Sequence, residues 1–372
     1  MQSAERAIDA GARMTAVHQH AQFCTSFDGT RIAYAIAGAG PRLVRAPHWL
    51  THIAYEWQSS YWVPWLERMT RDYSLLRMDL RGCGLSDRDV PNLSFESLVR
   101  DLEAVIESSG WDSFTLYGAS QGGAIAIEYA ARHPDKVSRL VLNGAYTRGY
   151  LRRELTPKDT AAFDNQIRLI EIGWESDDPA YRQFFATQFM PTANLEQLRG
   201  MNELQRVSTS AANAARLVRT AADIDVRESA TRVACPTLIT HSTGDRRVPF
   251  EEGRLLAALI PNSTLVPLDS INHALLPGDR AFETFFEVLN TFAPPARRHA
   301  VPDAVGSVSR LTAREREVLE HLAQGLDNAQ IAAHLGLSEK TVRNHLTHIF
   351  DKIDVENRGQ AIVLAREAGL GD

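Results

Sequence analysis

Residues 114–123 read Phe114-Thr115-Leu116-Tyr117-Gly118-Ala119-Ser120-Gln121-Gly122-Gly123: a short apolar run, then G-x-S-x-G, then an Ala-rich helical pattern. Glycines on either side of Ser120 let the chain turn sharply. The serine side chain then stands above the end of a strand, beside the positive N-terminus of a helix. Alone, such a turn is more often structural than nucleophilic. Two later residues give it weight. Asp245 sits in GDRRVP after the run PTLITHS, and His273 sits in INHALL after the run STLVPL. Read singly, they are an ordinary turn aspartate and a surface histidine. Read in the order Ser120…Asp245…His273, each after a predicted strand, they can form a catalytic triad. His273 would take the proton of Ser120, and Asp245 would fix the tautomer and stabilise the imidazolium.

Outward from this turn, the runs QFCTSF and RIAYAIAG, joined by Asp28-Gly29, predict a hairpin with a primed turn. Further short apolar runs begin near Leu43, Tyr73, Phe114, Arg139, Pro236 and Ser263, separated by longer helical patterns. That alternation predicts a mostly parallel sheet covered on both faces. The exception is 147–232, which has no strand signal. Its Phe163, Ile167, Ile170, Trp174, Phe184, Phe185 and Phe189 follow amphipathic helical spacing. An insertion of this kind predicts a helical lid over the C-terminal edge of the sheet, where ligands of open α/β folds bind. The first twenty residues form an extension of Ala, Arg and Glu with no assigned role. Residues 294–309, rich in Pro, Ala and small polar side chains, read as a linker between a domain at 21–293 and another at 310–372.

The bulk properties agree with two domains, one large and one small. The chain has 372 residues, of which 44% are hydrophobic and 23% charged. A net charge of −6 argues against indiscriminate coating of nucleic acid, but not against a small DNA-reading surface. Three cysteines, Cys24, Cys83 and Cys235, lie far apart without CxxC spacing, which predicts reduced thiols and no structural metal; no cofactor is expected either. The N-terminus lacks the apolar core of a signal peptide, and no run is long enough to span a bilayer. The expected location is the bacterial cytoplasm, on the nucleoid when DNA is bound, with no membrane partner.

On these motifs residues 21–293 resemble the α/β-hydrolase superfamily, and Asp79-Leu80-Arg81-Gly82-Cys83-Gly84-Leu85-Ser86-Asp87 matches a loop common after its fourth strand. The resemblance implies an oxyanion hole from the backbone amides of Trp49 and Gln121. The sequence departs from the family at Pro47-His48-Trp49, where many members carry His-Gly. Losing one oxyanion donor typically costs about 10²–10³ in turnover, which suits a slow, receptor-like hydrolase. Trp49, Tyr55, Trp57, Tyr61, Trp62 and Trp65 crowd the same region. Some are core; His48, Trp49, Trp57, Trp62, Tyr146 and Trp174 are expected to wall a pocket for a small apolar ester, lactone or aromatic ligand. The stretch RAPHWLTHIAYEWQS resembles hydrolase domains fused to regulatory modules.

From Leu311 the pattern changes. Thr312 and Glu315 form a capping box, and Val318, Leu319 and Leu322 face inward up to Gly325. Asp327 or Asn328 caps a second helix containing Ile331 and Leu335. Ser338 caps a third after the Gly336 turn, with Val342, Leu346, Ile349 and Ile353 facing inward. Asn357 with Gln360 caps a fourth. The whole tail resembles the LuxR-type helix-turn-helix domain, departing from it at Asn328-Ala329-Gln330. The resemblance implies that Arg343, Asn344 and Thr347 reach bases of double-stranded DNA, while Lys340, Thr341, His345 and Lys352 hold its backbone. Lys352 reads equally as a solvated surface lysine, and His345 as a capping or packing residue. Acidic residues slightly outnumber basic ones in this tail, so binding would need two copies on adjacent half-sites. The fourth helix, through Ile362 and Val363, is the implied dimer face.

The fold expected is therefore an α/β-hydrolase sheet with a helical lid, followed by a small all-α LuxR-type domain. The function it favours is a transcriptional regulator that binds a small ligand, with slow hydrolysis of that ligand left open. Its expected partners are operator DNA, the ligand and a second copy of the chain, with RNA polymerase a further candidate. An active esterase or lactonase with an accessory DNA-binding tail is the alternative, and a sensor reset by turnover a third.

Overall fold

A computed structural model describes residues 19–295, 308, 309, 311–353, 355 and 358–371. Most of the N-terminal extension, most of the linker and the Asn357 cap lie outside the described residues. The chain divides into two compact units, with the division between 296 and 297.

The first unit is built on eight strands: β1 (Gln22–Thr25), β2 (Arg31–Ala37), β3 (Arg42–Arg45), β4 (Ser74–Met78), β5 (Phe114–Ala119), β6 (Val137–Asn143), β7 (Thr237–Ser242) and β8 (Ser263–Leu268). They form one sheet in the order β1-β2-β4-β3-β5-β6-β7-β8. The β1–β2 and β2–β4 pairs are antiparallel and the rest parallel. The alternation along each strand feeds two cores. Val44, Leu76, Leu116, Leu140, Leu142 and Ile239 face one side. Leu43, Leu75, Tyr117, Val141 and Leu238 face the other. Strands covered on both faces have no polar side to show, which is why β5 to β7 read as continuous apolar runs.

Helices α2 (Phe95–Ser109) and α3 (Gln121–Arg132) cover the first face; α1 (Trp62–Asp72) and α10 (Arg280–Phe292) cover the second. Between β6 and β7 the chain is helical: α4 (Pro157–Gly173), α5 (Ala180–Phe189), α6 (Leu195–Ser208), α7 (Ala211–Ala222) and the short α8 (Arg227–Thr231). Capping boxes start α4 at Thr156 and α6 at Asn194. Helix α9 (Phe250–Leu259) joins β7 to β8.

The β1–β2 turn corrects one expectation. Gly29 alone has positive φ, 89°, and its amide donates to Ser26 O at 3.0 Å while Ser26 N donates to Thr30 O at 2.8 Å. This is a three-residue loop closed by a left-handed glycine, not a two-residue primed turn, which needs positive φ at Asp28 as well. The Asp79–Asp87 loop braces the structure. Asp79 accepts from the amides of Ile53 (2.8 Å) and Leu85 (2.9 Å), and Arg81 pairs with Asp101 and Asp28.

The second unit contains α11 (Ala313–Ala323), α12 (Asn328–Leu335), α13 (Glu339–Ile353) and α14 (Arg358–Glu367). Capping boxes at Thr312 and Asp327 start the first two, and Gly336 ends α12 with φ 63°. Ser338 Oγ accepts from Thr341 N at 3.1 Å at the start of α13. Val318, Leu319, Leu322, Ile331, Val342, Leu346, Ile349 and Ile353 are buried together with Ala361, Leu364 and Ala365 of α14. Ile362 packs partly against this core, while Val363 is exposed. No helix among the described residues is long and apolar enough to cross a membrane.

Candidate active site and nucleic-acid interface

Ser120 occupies the turn between β5 and α3 with φ 50° and ψ −124°, a conformation in which few non-glycine residues are held without strain. Glycine is required around it for close approach. A Cβ on Gly118 would come within 2.6 Å of Gly122 O, and one on Gly123 within 2.3 Å of the Ala145 Cβ. The sharp turn carries Ser120 to a histidine far along the chain. Ser120 Oγ donates to His273 Nε2 at 2.9 Å, and His273 Nδ1 donates to Asp245 Oδ2 at 2.7 Å. The other oxygen of Asp245 accepts from the amides of Arg247 (2.8 Å) and Val248 (2.9 Å). Burial alone would raise the Asp245 carboxyl. The charge and hydrogen bond of His273 and the Val248 amide outweigh it and hold the group below the usual carboxylate range. Asp245 therefore stays ionised, as an orienting partner of His273 must.

Gln121 is the first residue of α3, so no turn of the helix can satisfy its amide. Trp49 lies on the loop after β3 and borders the Ser120 cavities along with Gln121. Both residues predicted to supply oxyanion donors thus reach the site. The next residue, Leu50, is buried with φ 58°, the second non-glycine residue with positive φ among those described. Strain at both Ser120 and Leu50 marks the two loops that meet at the nucleophile. Nothing in the sequence around Leu50 announces it.

Two chambers open from Ser120. The larger, about 90 Å³, is walled by His48, Trp49, Tyr61, Trp62, Trp65 and Met201 among others, and also touches His273. Its wall is stacked: His48 lies on Trp62 with ring centroids 4.9 Å apart, and the Arg45 guanidinium sits 4.7 Å from the Trp62 ring. Burial, helped by Arg45, pushes the His48 imidazole down to about 4. His48 is therefore neutral, with Nδ1 donating to Trp49 O at 3.0 Å. Beneath lies a buried Arg45–Glu56–Arg77 cluster. Burial opposes the Glu56 charge, but the two guanidiniums outweigh it and hold the carboxyl at about 2. The second chamber, about 60 Å³, is bordered by Gln121, Tyr146, Tyr150, Arg153, Phe163 and Arg247.

Two expected pocket residues are elsewhere. Trp57 Nε1 donates to Gln19 Oε1 at 2.8 Å, and the Arg77 guanidinium lies 5.6 Å from its ring. Trp57 thus braces the buried arginines, and its position in the aromatic cluster did not reveal which side of the loop it faces. Trp174 is buried behind Trp49 and Phe185 and donates to Thr209 O at 3.0 Å; it supports the wall from the core. His48, Trp49, Trp62 and Tyr146 do border the chambers. Phe189, which touches both chambers and lies 5.8 Å from the His273 ring, was visible only as a helical apolar residue. Among the described residues no cluster of His, Cys, Asp and Glu could hold a metal.

On α13, Lys340, Arg343, Asn344, Thr347 and His348 are exposed, while Thr341 and His345 are half-buried. The Thr341 hydroxyl is engaged with Ser338 Oγ at 2.8 Å, and Thr347 Oγ1 donates back to Arg343 O at 3.1 Å. Lys352 has an internal partner: its Nζ donates to both Glu315 oxygens, at 2.8 and 2.7 Å. The lysine ties α13 to the capping carboxylate of α11. Lys352, then the Thr312 amide, hold the Glu315 carboxyl down at about 2. Arg314, Arg358 and Arg366 are likewise bonded within the unit. The side chains of Lys340 and Arg343 have no partner of this kind, so unspent positive charge lies on the outward side of α13.

The family described as "alpha/beta hydrolase fold" matches residues 48–277. The chain belongs to that family. Its tail matches "Bacterial regulatory proteins, luxR family" over 309–365, so the hydrolase unit precedes a DNA-binding domain. The chain is 30% identical to an AB hydrolase superfamily protein, YisY, of Bacillus subtilis, over 63% of its own length and 86% of the relative. It is 28% identical to a putative carbamate hydrolase, RutD, of Rhizobium rhizogenes, over 58% and 81%. Among solved structures, an esterase of Exiguobacterium antarcticum superposes with a TM-score of 0.62 at 25% identity, over 73% of this chain and 99% of that chain.

Proposed function

We propose that the chain is a DNA-binding transcriptional regulator whose α/β-hydrolase unit is its ligand sensor. The observation that carries this reading is the union of a lidded, chambered serine–histidine–aspartate site with a recognition helix whose exposed Lys340 and Arg343 have no partner. A metabolic esterase has no evident use for the second. The ligand enters between the lid helices and the sheet, with an apolar or aromatic part among His48, Trp49 and Trp62. If it is an ester or lactone, Ser120 Oγ attacks the carbonyl while His273 accepts the proton. The Trp49 and Gln121 amides receive the oxyanion, and His273 then protonates the leaving oxygen. Binding shifts the DNA affinity of a dimer that contacts two half-sites; coupling of about 1–3 kcal/mol gives a usable switch.

A working hydrolase with an accessory tail is the second reading. The 2.9 Å contact between Ser120 Oγ and His273 Nε2 favours it, because a site kept only for binding needs no aligned proton acceptor. Relatives named as hydrolases support the same chemistry. Ser120→Ala, assayed on one preparation for ester hydrolysis and with a promoter reporter, separates the two. Loss of hydrolysis with intact inducer response makes binding the signal. Lost regulation with intact ligand binding makes turnover the signal. Absence of a sequence-specific footprint from wild type, with and without ligand, refutes the regulator reading.

A further inference from the structure

The two chambers beside Ser120 differ in charge, and the difference specifies the ligand. The chamber of Trp62 and Trp65 has no Asp, Glu, Lys or Arg on its wall. The other is bordered by two guanidiniums, Arg153 and Arg247, and by no carboxylate. Arg153 has only a long, shared counter-charge, and Arg247 has no ion pair among the described residues. Glu252, the one acid within 4 Å of Arg153, is 3.9 Å from its Nε and is held at 2.8 Å by Arg148. The remaining bond of Arg153 is a donation from Nε to Arg148 O, which leaves its two terminal nitrogens free. Arg247 reaches only the side-chain oxygens of Gln166 and Gln188, at 3.4 and 3.3 Å, with its guanidinium 5.3 Å from the Phe189 ring. Asp245, two residues before it, has committed both oxygens to His273 and to loop amides.

A separate observation points the same way. Gln121 also borders this chamber, is 1% exposed, and has both its Nε2 and Oε1 without a partner. A buried primary amide left unpaired is costly unless something polar arrives to meet it. Burial pushes the ionisation of both Arg153 and Arg247 down. Each guanidinium is thus a poorly solvated cation that an anion would relieve.

We infer that the chamber bordered by Arg153, Arg247 and Gln121 is a carboxylate-binding subsite, so that the ligand is an amphiphilic anion: an ester, lactone or amide with an apolar or aromatic group at one end and a carboxylate at the other. The apolar end lies against Trp62 and Trp65, the scissile carbonyl at Ser120, and the carboxylate between the guanidiniums. This rests on reading the hydrolase unit as a small-molecule receptor, and it replaces a wholly apolar ligand with a charged one. It also supplies a route for the signal. An anion that takes the bonds of Arg247 releases Gln166 of α4 and Gln188 of α5, the two lid helices this arginine now tethers.

The test compares monophenyl glutarate with its methyl ester, which keeps the phenyl ester and caps the carboxylate. Affinity for the full-length Ser120→Ala protein is read by calorimetry, and kcat/KM is read on wild type. The acid should bind about 10- to 100-fold more tightly than the methyl ester, the value of a charge-assisted hydrogen bond. Arg153→Gln combined with Arg247→Gln should bring that ratio close to one. Equal or weaker binding of the acid, or no binding of it at all, overturns the assignment, and so does a ratio unchanged in the double variant. The ratio on Ser120→Ala alone decides the question if the double variant does not fold. Failure of the regulator reading looks different: the acid binds with the expected preference, yet the DNA footprint is the same with and without it.

Discussion

The catalytic corner and the recognition helix stand at opposite extremes of satisfaction. Around Ser120 the polar atoms of the triad are bonded to one another, with Asp245 and His273 buried: serine to histidine, histidine to aspartate, aspartate to the next loop. On α13 the side chains that carry the chemistry are exposed, and Lys340 and Arg343 have no internal partner. The first arrangement is pre-organised, complete before any ligand arrives. The second is incomplete by construction, because a helix that spent its cations inside its own domain could not neutralise phosphate or read a base edge. Lys352 shows the boundary between these strategies: a cation on the same helix, turned inward and spent on Glu315.

Removing parts of the pre-organised corner should have the largest effects. His273→Ala should lower ester hydrolysis by about 10³-fold or more, since triad members act as a unit. It should leave the operator footprint of the unliganded protein in place; a footprint lost together with hydrolysis would mean that the corner also supports the DNA-reading unit. Next is Glu56→Gln. It strands Arg45 and Arg77 without a counter-charge and should cost about 3–5 kcal/mol in chemical denaturation of the hydrolase unit. On the open side, Arg343→Ala should weaken operator binding by about 1–3 kcal/mol and relax specificity. Lys340→Ala should instead weaken all sequences alike and flatten the salt dependence by about one unit of slope. Equal losses on specific and random DNA for Arg343→Ala would reassign it to the backbone.

The smallest effect lies at the boundary residue. Lys352→Ala should lower the stability of the helix-turn-helix unit by about 1 kcal/mol, read as a melting shift, with little change in DNA affinity per folded molecule. The same ion pair sets an acid limit. Glu315 is held at about 2, below its ordinary value of 4.5, so its contribution is full above 4.5 and is lost as pH falls toward 2. Acid unfolding of this unit should therefore flatten in Glu315→Gln over that window.

The sheet, the lid, the order of the triad and the helix-turn-helix were legible because each is written in local pattern. Period-2 and period-3.6 spacing, capping boxes and a glycine-flanked serine need no knowledge of distant partners. What escaped depends on distant partners. Trp57 and Trp62 share one aromatic run, yet one faces Gln19 and Arg77 and the other the ligand chamber. Lys352 lies 37 positions from the glutamate that claims it. The charge of the second chamber follows from Glu252 being held closer by Arg148 than by Arg153 and from Asp245 being spent on His273, and composition cannot show that. The Asp28-Gly29 turn differed for a local reason: the loop spends one more residue than the dipeptide implies.

The Asp245 carboxylate has a consequence for how such a sensor can diversify. One oxygen orients His273, and the other fixes the backbone that presents Arg247. In the proposed sensor, turnover and charge recognition therefore share a single hinge pin. A lineage or a designer wishing to recognise a different anion is freer to change side chains on the lid than to exchange the Gly244–Pro249 loop, because a new loop re-aims the histidine along with the arginine.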